Sequence, residues 1–418
     1  MVVIMREVNM RKAIRNISTI LFALCSFLFS TIFLIGNAMP EQFNVVSGYD
    51  FKLSGAVQVS TQKAQNRLSV PVSKLSPGSS YQASLQLFGL FPIKDVKVNV
   101  VDVTTVVPSG MPFGIKMYTD GVLVVGMSDV DTPNGPKNPA KEAGIKVGDV
   151  LVMIDGKPVN TTEEVAAIIE KAGGRKMCFK IRRGNITFDM YFSCVKSVNE
   201  NCYKAGLWVR DSSAGIGTMT FYIPGSNIFA GLGHAICDVD TGEPLPLATG
   251  EVVPARIYSI VKGISGEPGE LRGGFEGGTM GQLSINCETG IYGTLNKTPI
   301  LGQPVPVAMK QQVKAGPAKI LTTISGTTPE LYDIKIEQVR YNDSSPTRNM
   351  IISITDQRLL EKTGGIIQGM SGSPILQDGR LVGAVTHVFV NDPTKGFAIF
   401  AENMLKTANT VQQQAPAA

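Results

Sequence analysis

The chain has 418 residues, 43% of them apolar, which is enough to bury sizeable cores and suggests two or three domains. Its 39 Lys+Arg exceed 34 Asp+Glu to give a net charge of +5, and Arg6, Arg11, Lys12 and Arg15 against Glu7 put most of that surplus at the N-terminus. No concentrated nucleic-acid footprint remains elsewhere, and with only His234 and His387 and no cysteine pair at zinc spacing a histidine-rich metal centre is excluded.

From Asn16 to Pro40 no residue is charged, and Ile17 to Ile35 is apolar over a length that crosses a bilayer as a helix. The basic flank belongs in the cytoplasm, so everything after about Glu41 is expected outside it. Gly36-Asn37-Ala38 offers small residues to a signal peptidase, leaving a cleaved signal peptide open beside an uncleaved anchor. The length of the apolar run favours the anchor. Residues 1–40 are thus a cytoplasmic basic stub and a transmembrane or signal segment.

Residues 41–108 read as a small β module. Tyr81 to Leu87 alternates polar and apolar, and so does Val96 to Val100, with a bulge expected where Val101-Asp102-Val103 falls out of phase.

Residues 109–195 form a clearer unit. Phe113 to Met117 and Leu123 to Gly126 are strands, followed by the run Asn138 to Gly156. Thr161-Thr162-Glu163-Glu164 has capping-box form, and Val165, Ile168, Ile169 and Ala172 follow at helical spacing, so a helix starts near Thr162 and ends at Gly173-Gly174. Strands Lys176 to Arg182 and Thr187 to Cys194 complete the module. The phrase Ala143-Gly144-Ile145…Gly148-Asp149…Leu151…Ile154-Asp155-Gly156 resembles the PDZ family. That resemblance implies peptide binding by strand addition between a strand and a helix, with Phe113, Gly114 and Ile115 matching the carboxylate-binding loop and strand, and Val165 and Ile169 as groove walls. Pro112 stands where the usual loop has glycine.

Cys178 and Cys194 flank the turn Arg183-Gly184-Asn185 on two expected strands; a bridge and a pair of small buried thiols both remain open.

From 196 to 404 short strands separated by Gly, Pro and Asp clusters suit a double β-barrel. Gly369-Met370-Ser371-Gly372-Ser373-Pro374 precedes a hairpin around Asp378-Gly379, and the combination resembles the serine turn of chymotrypsin-fold proteases, with Met370 and Ser373 where that pattern has Asp and Gly. There Ser371 is the nucleophile, and the N–H groups of Gly369 and Ser371 hold the oxyanion. His234, among the small residues of Phe229 to Asp238, is the expected base in the order His before Ser. His387 competes from the downstream hairpin, where pocket wall is expected. Asp238, Asp240, Asp333, Asp343 and Asp356 are all available to orient the imidazole, and Asp356 is equally a helix N-cap before Arg358-Leu359-Leu360. The Gly-rich stretch Lys262 to Gly281 reads as a surface excursion, and residues 405–418 as a disordered tail.

The N-terminal membrane segment, the PDZ phrase, Gly231-Leu232-Gly233-His234-Ala235 and Thr355-Asp356…Ser371-Gly372-Ser373-Pro374 together are similar to the stage IV sporulation serine peptidases of endospore-forming Firmicutes. The resemblance implies a serine endopeptidase, without a cofactor, in the space between the two forespore membranes. It implies self-cleavage, PDZ-mediated self-recognition and cutting of a membrane regulator, which releases an intramembrane protease that activates a late sigma factor. It carries Asp356 over as the triad aspartate. A membrane-tethered PDZ scaffold with an inactive protease-like domain and a general quality-control protease are the alternatives.

Overall fold

A computed structural model describes residues 2–53, 55–61, 71–297, 302–341 and 345–414, with side chains from 14 to 411 of these. Strands of four or more residues are numbered below in chain order. Helix α1 (Val2–Ala38) contains 25 consecutive residues, Ile14–Ala38, that are long and apolar enough to cross a membrane, with none of that window buried against the protein.

Four strands, β1 (Gln42–Val46), β2 (Val57–Ser60), β3 (Ser80–Leu87) and β4 (Phe91–Val101), form one sheet in the order β1-β4-β3-β2, with β1 parallel to β4. The alternation expected for 81–87 is realised: Tyr81, Ala83, Leu85 and Leu87 are buried on one face. β4 stops at Val101 instead of bulging onwards.

Next comes β5 (Thr105–Pro108), and then β6 (Pro112–Met127) runs through two cores. Its first half, with Phe113, Ile115 and Met117, packs against Val252, Leu283 and Phe229, while Val122 and Val124 join Leu151, Val165, Ile169 and Phe179. The second core belongs to the PDZ module: α2 (Pro139–Ala143), β7 (Val150–Ile154), α3 (Thr162–Ala172), β8 (Lys176–Arg183) and β9 (Ile186–Ser193). Both halves of the expected capping box form: Thr161 accepts from Glu164 N–H, and Glu164 accepts from Thr161 N–H; Gly173 closes the helix at φ 60°. Register puts Cys178 opposite Tyr191, so it does not face Cys194, and both thiols are free.

The long strand β10 (Leu207–Tyr222) returns beside β6 over its whole length, pairing Leu207 with Met127 and Thr218 with Pro112. With β11 (Ile228–Gly231), β12 (Leu247–Val261), β14 (Gly281–Cys287) and β15 (Gly290–Leu295), these strands close a ring, β6-β12-β14-β15-β11-β10-β6. The PDZ module is therefore inserted in the first barrel, between its first strand and β10. This differs from the expected order of separate modules. Alternation shows that a strand is half-buried but not which core it serves, so Phe113–Met117 could not be assigned from sequence.

The second ring is a closed six-stranded barrel, β16-β17-β18-β21-β20-β19, made of β16 (Gly316–Thr322), β17 (Glu330–Val339), β18 (Met350–Ile354), β19 (Pro374–Gln377), β20 (Arg380–Phe389) and β21 (Asp392–Phe400). Between β18 and β19 lies α4 (Gln357–Thr363), capped by Asp356. The stretch read as a surface excursion is instead the tip of a hairpin. There β13 (Glu270–Phe275) pairs with β12 and reaches the serine turn, where Leu271 N–H donates to Gln368 O and Gln368 N–H to Gly269 O, both at 2.8 Å. The expected disordered tail is helical to Gln414 as α5 (Ala401–Gln414), because Met404, Leu405, Ala408 and Val411 recur at helical spacing and bury against Phe221, Ile228 and Ala384. Residues 415–418 lie outside the described residues.

Candidate active site

The two barrels meet at a cleft of about 440 Å³ lined by His234, Ser371, His387, Gly369 and residues Ser213 to Gly217 of β10. His234 follows β11 from the first barrel. Ser371 sits on the turn that enters β19 of the second.

Glycine is demanded twice in this turn. Gly369 has φ +95° and Gly372 φ +93°, a region that L side chains rarely adopt. A Cβ at Gly372 would also stand 2.1 Å from Thr218 O and 2.5 Å from Leu232 N, so the turn is seated directly on the first barrel. Thr218 makes the seat polar: its Oγ1 donates to Gly369 O at 2.7 Å, and its N–H donates to Ser371 O at 3.2 Å. With those carbonyls held, the N–H groups of Gly369 and Ser371 have no acceptor among the described residues. Two unpaired main-chain donors flanking a nucleophile are what an oxyanion requires.

Ser371 Oγ donates to Thr386 O at 2.9 Å, so the hydroxyl proton is directed at that carbonyl, and rotation about the Cα–Cβ bond would redirect it. His234 Nδ1 lies 2.7 Å from Ala235 O. A carbonyl only accepts, so that contact assigns the proton to Nδ1 and leaves Nε2 with the free lone pair that a general base needs. Burial holds His234 below the usual histidine pKa, against the raising effect of Ala235 O.

His387, expected as pocket wall, lies in the cleft with its ring centroid 5.1 Å from that of His234. Desolvation, the His234 ring and Arg348 push its pKa down to about 4.

The carboxylates fall elsewhere. Asp356 is buried and does not line the cleft. It accepts from Arg358 N–H at 2.9 Å, Arg358 Nε at 3.1 Å and Nη2 at 2.8 Å, and Asp333 N–H at 3.2 Å. Arg358 first, and then the main-chain donors, lower its pKa to about 2 against the desolvation penalty. The Asp356 carboxylate is thus engaged by the start of α4 and by its own Arg358. Asp238 pairs with Arg210, as does Asp240 at 2.8 Å; Asp333 pairs with Lys319 at 2.6 Å. Asp343 lies outside the described residues.

The PDZ module carries a second cleft, of about 320 Å³, between α3 and the start of β10. Val165 and Ile169 line it, as the sequence leads one to expect. Phe113, Gly114 and Ile115 do not: they are buried in the first barrel, paired with Gly217, Ile216 and Gly215. The strand facing α3 is Leu207-Trp208-Val209, preceded by Gly206 at φ +80°. A glycine-led apolar stretch, Ala205-Gly206-Leu207, was the available signal for it. Thr218 had none, since its role depends on contact across two barrels.

Two closed β-barrels with a serine turn and a histidine meeting at their cleft have the architecture of a chymotrypsin-like serine peptidase domain, here with a PDZ module. Residues 201–405 match the family SpoIVB peptidase S55, and residues 135–183 match the PDZ domain. The peptidase part of the chain, residues 201–405, is thus similar to the SpoIVB peptidase S55 family, and the PDZ match precedes it. It is 48% identical over 50 residues to serine protease HTRA1 of Xenopus laevis, covering 12% of this chain and 10% of that one. It is 38% identical over 76 residues to the magnetosome formation protease MamE of Paramagnetospirillum magneticum, covering 18% and 9%. The chain thus spans about a tenth of the length of these curated relatives. Among solved structures, the HtrA-type protease AlgW with a decapeptide aligns over 49% of this chain and 55% of that one, at 13% identity and TM-score 0.29. The PDZ domain of an SdrC-like protein from Listeria monocytogenes aligns over 22% and 87%, at 19% identity and TM-score 0.18.

Proposed function

We propose that this chain is a serine endopeptidase that cuts polypeptides outside the cytoplasm by acyl transfer. Ser371 attacks the carbonyl. His234 takes its proton at Nε2 and later returns it to the leaving amine, and the N–H groups of Gly369 and Ser371 hold the oxyanion. The observation that carries this reading is the meeting of Ser371, His234 and two unpaired amides in one cleft. The family likeness assigns Asp356 to the triad; its contacts support a capping role, with Ala235 O fixing the imidazole tautomer in its place. No cofactor is required for this chemistry.

The biological setting rests on the family likeness and the apolar N-terminal helix. α1 inserts in or passes across the forespore membrane and leaves the barrels in the intermembrane space. There the enzyme cleaves itself and a membrane regulator, freeing an intramembrane protease that activates a late sigma factor. The PDZ module serves self-recognition and substrate targeting. Units 1–40, 41–108, 109–195, 196–404 and 405–418 organise this reading, with residues 105–119 contributing strands to the first barrel.

The test is covalent labelling by a fluorophosphonate together with self-processing during expression. Wild type is expected to label and to process its N-terminus, and Ser371→Ala to do neither. Identical N-terminal fragments from both proteins would overturn the catalytic assignment. In a sporulating host, unchanged late sigma-factor activity with Ser371→Ala would overturn the signalling role alone.

A further inference from the structure

The two clefts share one strand. β10 contributes Leu207 to Val209 to the PDZ cleft and Ser213 to Gly217 to the catalytic one. From Leu207 to Thr218 it pairs with β6 alone, and only from Met219 onward does its other edge take β11. Among the described residues, the edge between the clefts has no strand partner, and Ser212, Ala214 and Gly215 along it are small and exposed. An uncovered edge of this length is a template for strand addition.

We propose that one polypeptide occupies both clefts at once, adding along the open edge of β10, so that cleavage falls at a set distance from the substrate's free C-terminus. This rests on the peptidase reading above and specifies its substrate: a chain ending in an apolar residue with a free carboxylate. The apolar end fits Val165, Ile169 and Leu207, which line the PDZ cleft. The carboxylate fits the start of β10, where Gly206 turns through φ +80° and presents Leu207 N–H; Lys204, paired with Glu200, stands beside it. Gly206 O is already used by Ser128 N–H at 3.2 Å and Asn138 Nδ2 at 3.1 Å, which fixes the orientation of the peptide unit that presents Leu207 N–H.

Direction follows from position. A C-terminus held at Gly206 leaves the upstream chain one course along this edge, antiparallel to β10 and towards Ser371. At roughly 3.3 Å per residue the path from Leu207 to Gly217 takes about ten residues, and the register shift between Arg210 and Ser212, where Asp211 has no partner on β6, shortens it slightly. The scissile bond therefore lies about eight to ten residues from the substrate's end.

Full-length protein in detergent micelles is incubated with a library of 20-residue peptides bearing free C-termini, and with the same library amidated. Mass spectrometry locates the cuts. Cuts clustered about eight to ten residues from a free carboxylate, and scattered in the amidated library, are expected; the same distribution in both overturns the proposal. Binding is measured separately on Ser371→Ala through Trp208, the chain's single tryptophan, which lines the PDZ cleft. A 12-residue alanine-lysine peptide ending in Ala-Val carboxylate is expected to bind at least about tenfold tighter than the 4-residue peptide with the same end, since the added strand engages the open edge. Equal affinities overturn the shared-edge proposal even if no library peptide is cut, whereas absence of cutting by wild type overturns only the peptidase reading.

Discussion

Thr218 Oγ1 donates to Gly369 O at 2.7 Å, and through that bond the first barrel holds the serine turn of the second. The hydroxyl is buried, so Thr218→Val leaves a carbonyl without its donor, a loss of about 1–3 kcal/mol of local stabilisation. Because Gly369 is also an oxyanion donor, kcat is expected to fall by roughly tenfold to a hundredfold with KM little changed, while Thr218→Ser keeps most of the activity. Equal kcat for wild type and Thr218→Val would show that the turn holds its shape unaided.

Gly372 tolerates no side chain. Gly372→Ala places a Cβ 2.1 Å from Thr218 O on a backbone at φ +93°, and destabilisation of several kcal/mol is expected, on the order of 3 or more. Urea unfolding of the isolated variant, compared with Gly379→Ala, where no atom lies within 4 Å of the added methyl, separates the steric cost from the conformational one.

The two histidines can be told apart by substitution. If His234 is the base, His234→Ala lowers kcat/KM by at least about a thousandfold, and His387→Gln by no more than about tenfold. The acid limb of kcat/KM has a stated sign. His234 must be neutral to accept a proton and burial lowers its pKa, so activity persists below pH 6.5, the usual histidine value, and is lost only as pH falls further. A midpoint above 6.5 would contradict the buried, neutral His234.

Asp356 separates a triad from a dyad. As an N-cap paired with Arg358, its loss in Asp356→Ala costs about 0.5–2 kcal/mol, while Asp356→Ser restores much of the cap and, on this reading, the activity. A triad aspartate would instead show a fall in kcat of about 10⁴-fold in Asp356→Asn. The folded pKa of about 2 lies below the ordinary aspartate value of 3.8, so the stability contributed by the carboxylate is present above pH 4 and is lost as pH falls from about 4 towards 2. The melting temperatures of wild type and Asp356→Asn are expected to converge over that range.

Local chemistry made much of this molecule legible before folding. The capping box at Thr161 and Glu164, the alternation of Tyr81 to Leu87 and the glycines around Ser371 each state a local rule, and each is realised. Asp356 shows the boundary of such reasoning, because the same residue satisfies a local rule as a cap and a non-local one as a triad member, and spacing cannot rank them. Residues 405–414 read as a disordered tail because their buried residues, Leu405, Ala408 and Val411, are sparse and find their apolar partners on the first and second barrels.

The sequence by itself determined the apolar N-terminal helix, the PDZ phrase and the identities of the nucleophile and histidine candidates, since these depend on residue type, order and short spacing. Only the tertiary structure decided that the PDZ module is inserted in the first barrel, that Phe113 to Ile115 serve that barrel's core, and that β10 joins the two clefts. The physical reason is that a half-buried strand specifies one apolar face and two unsatisfied edges. Which core receives that face, and which edge stays open, is settled by strands far away in the chain.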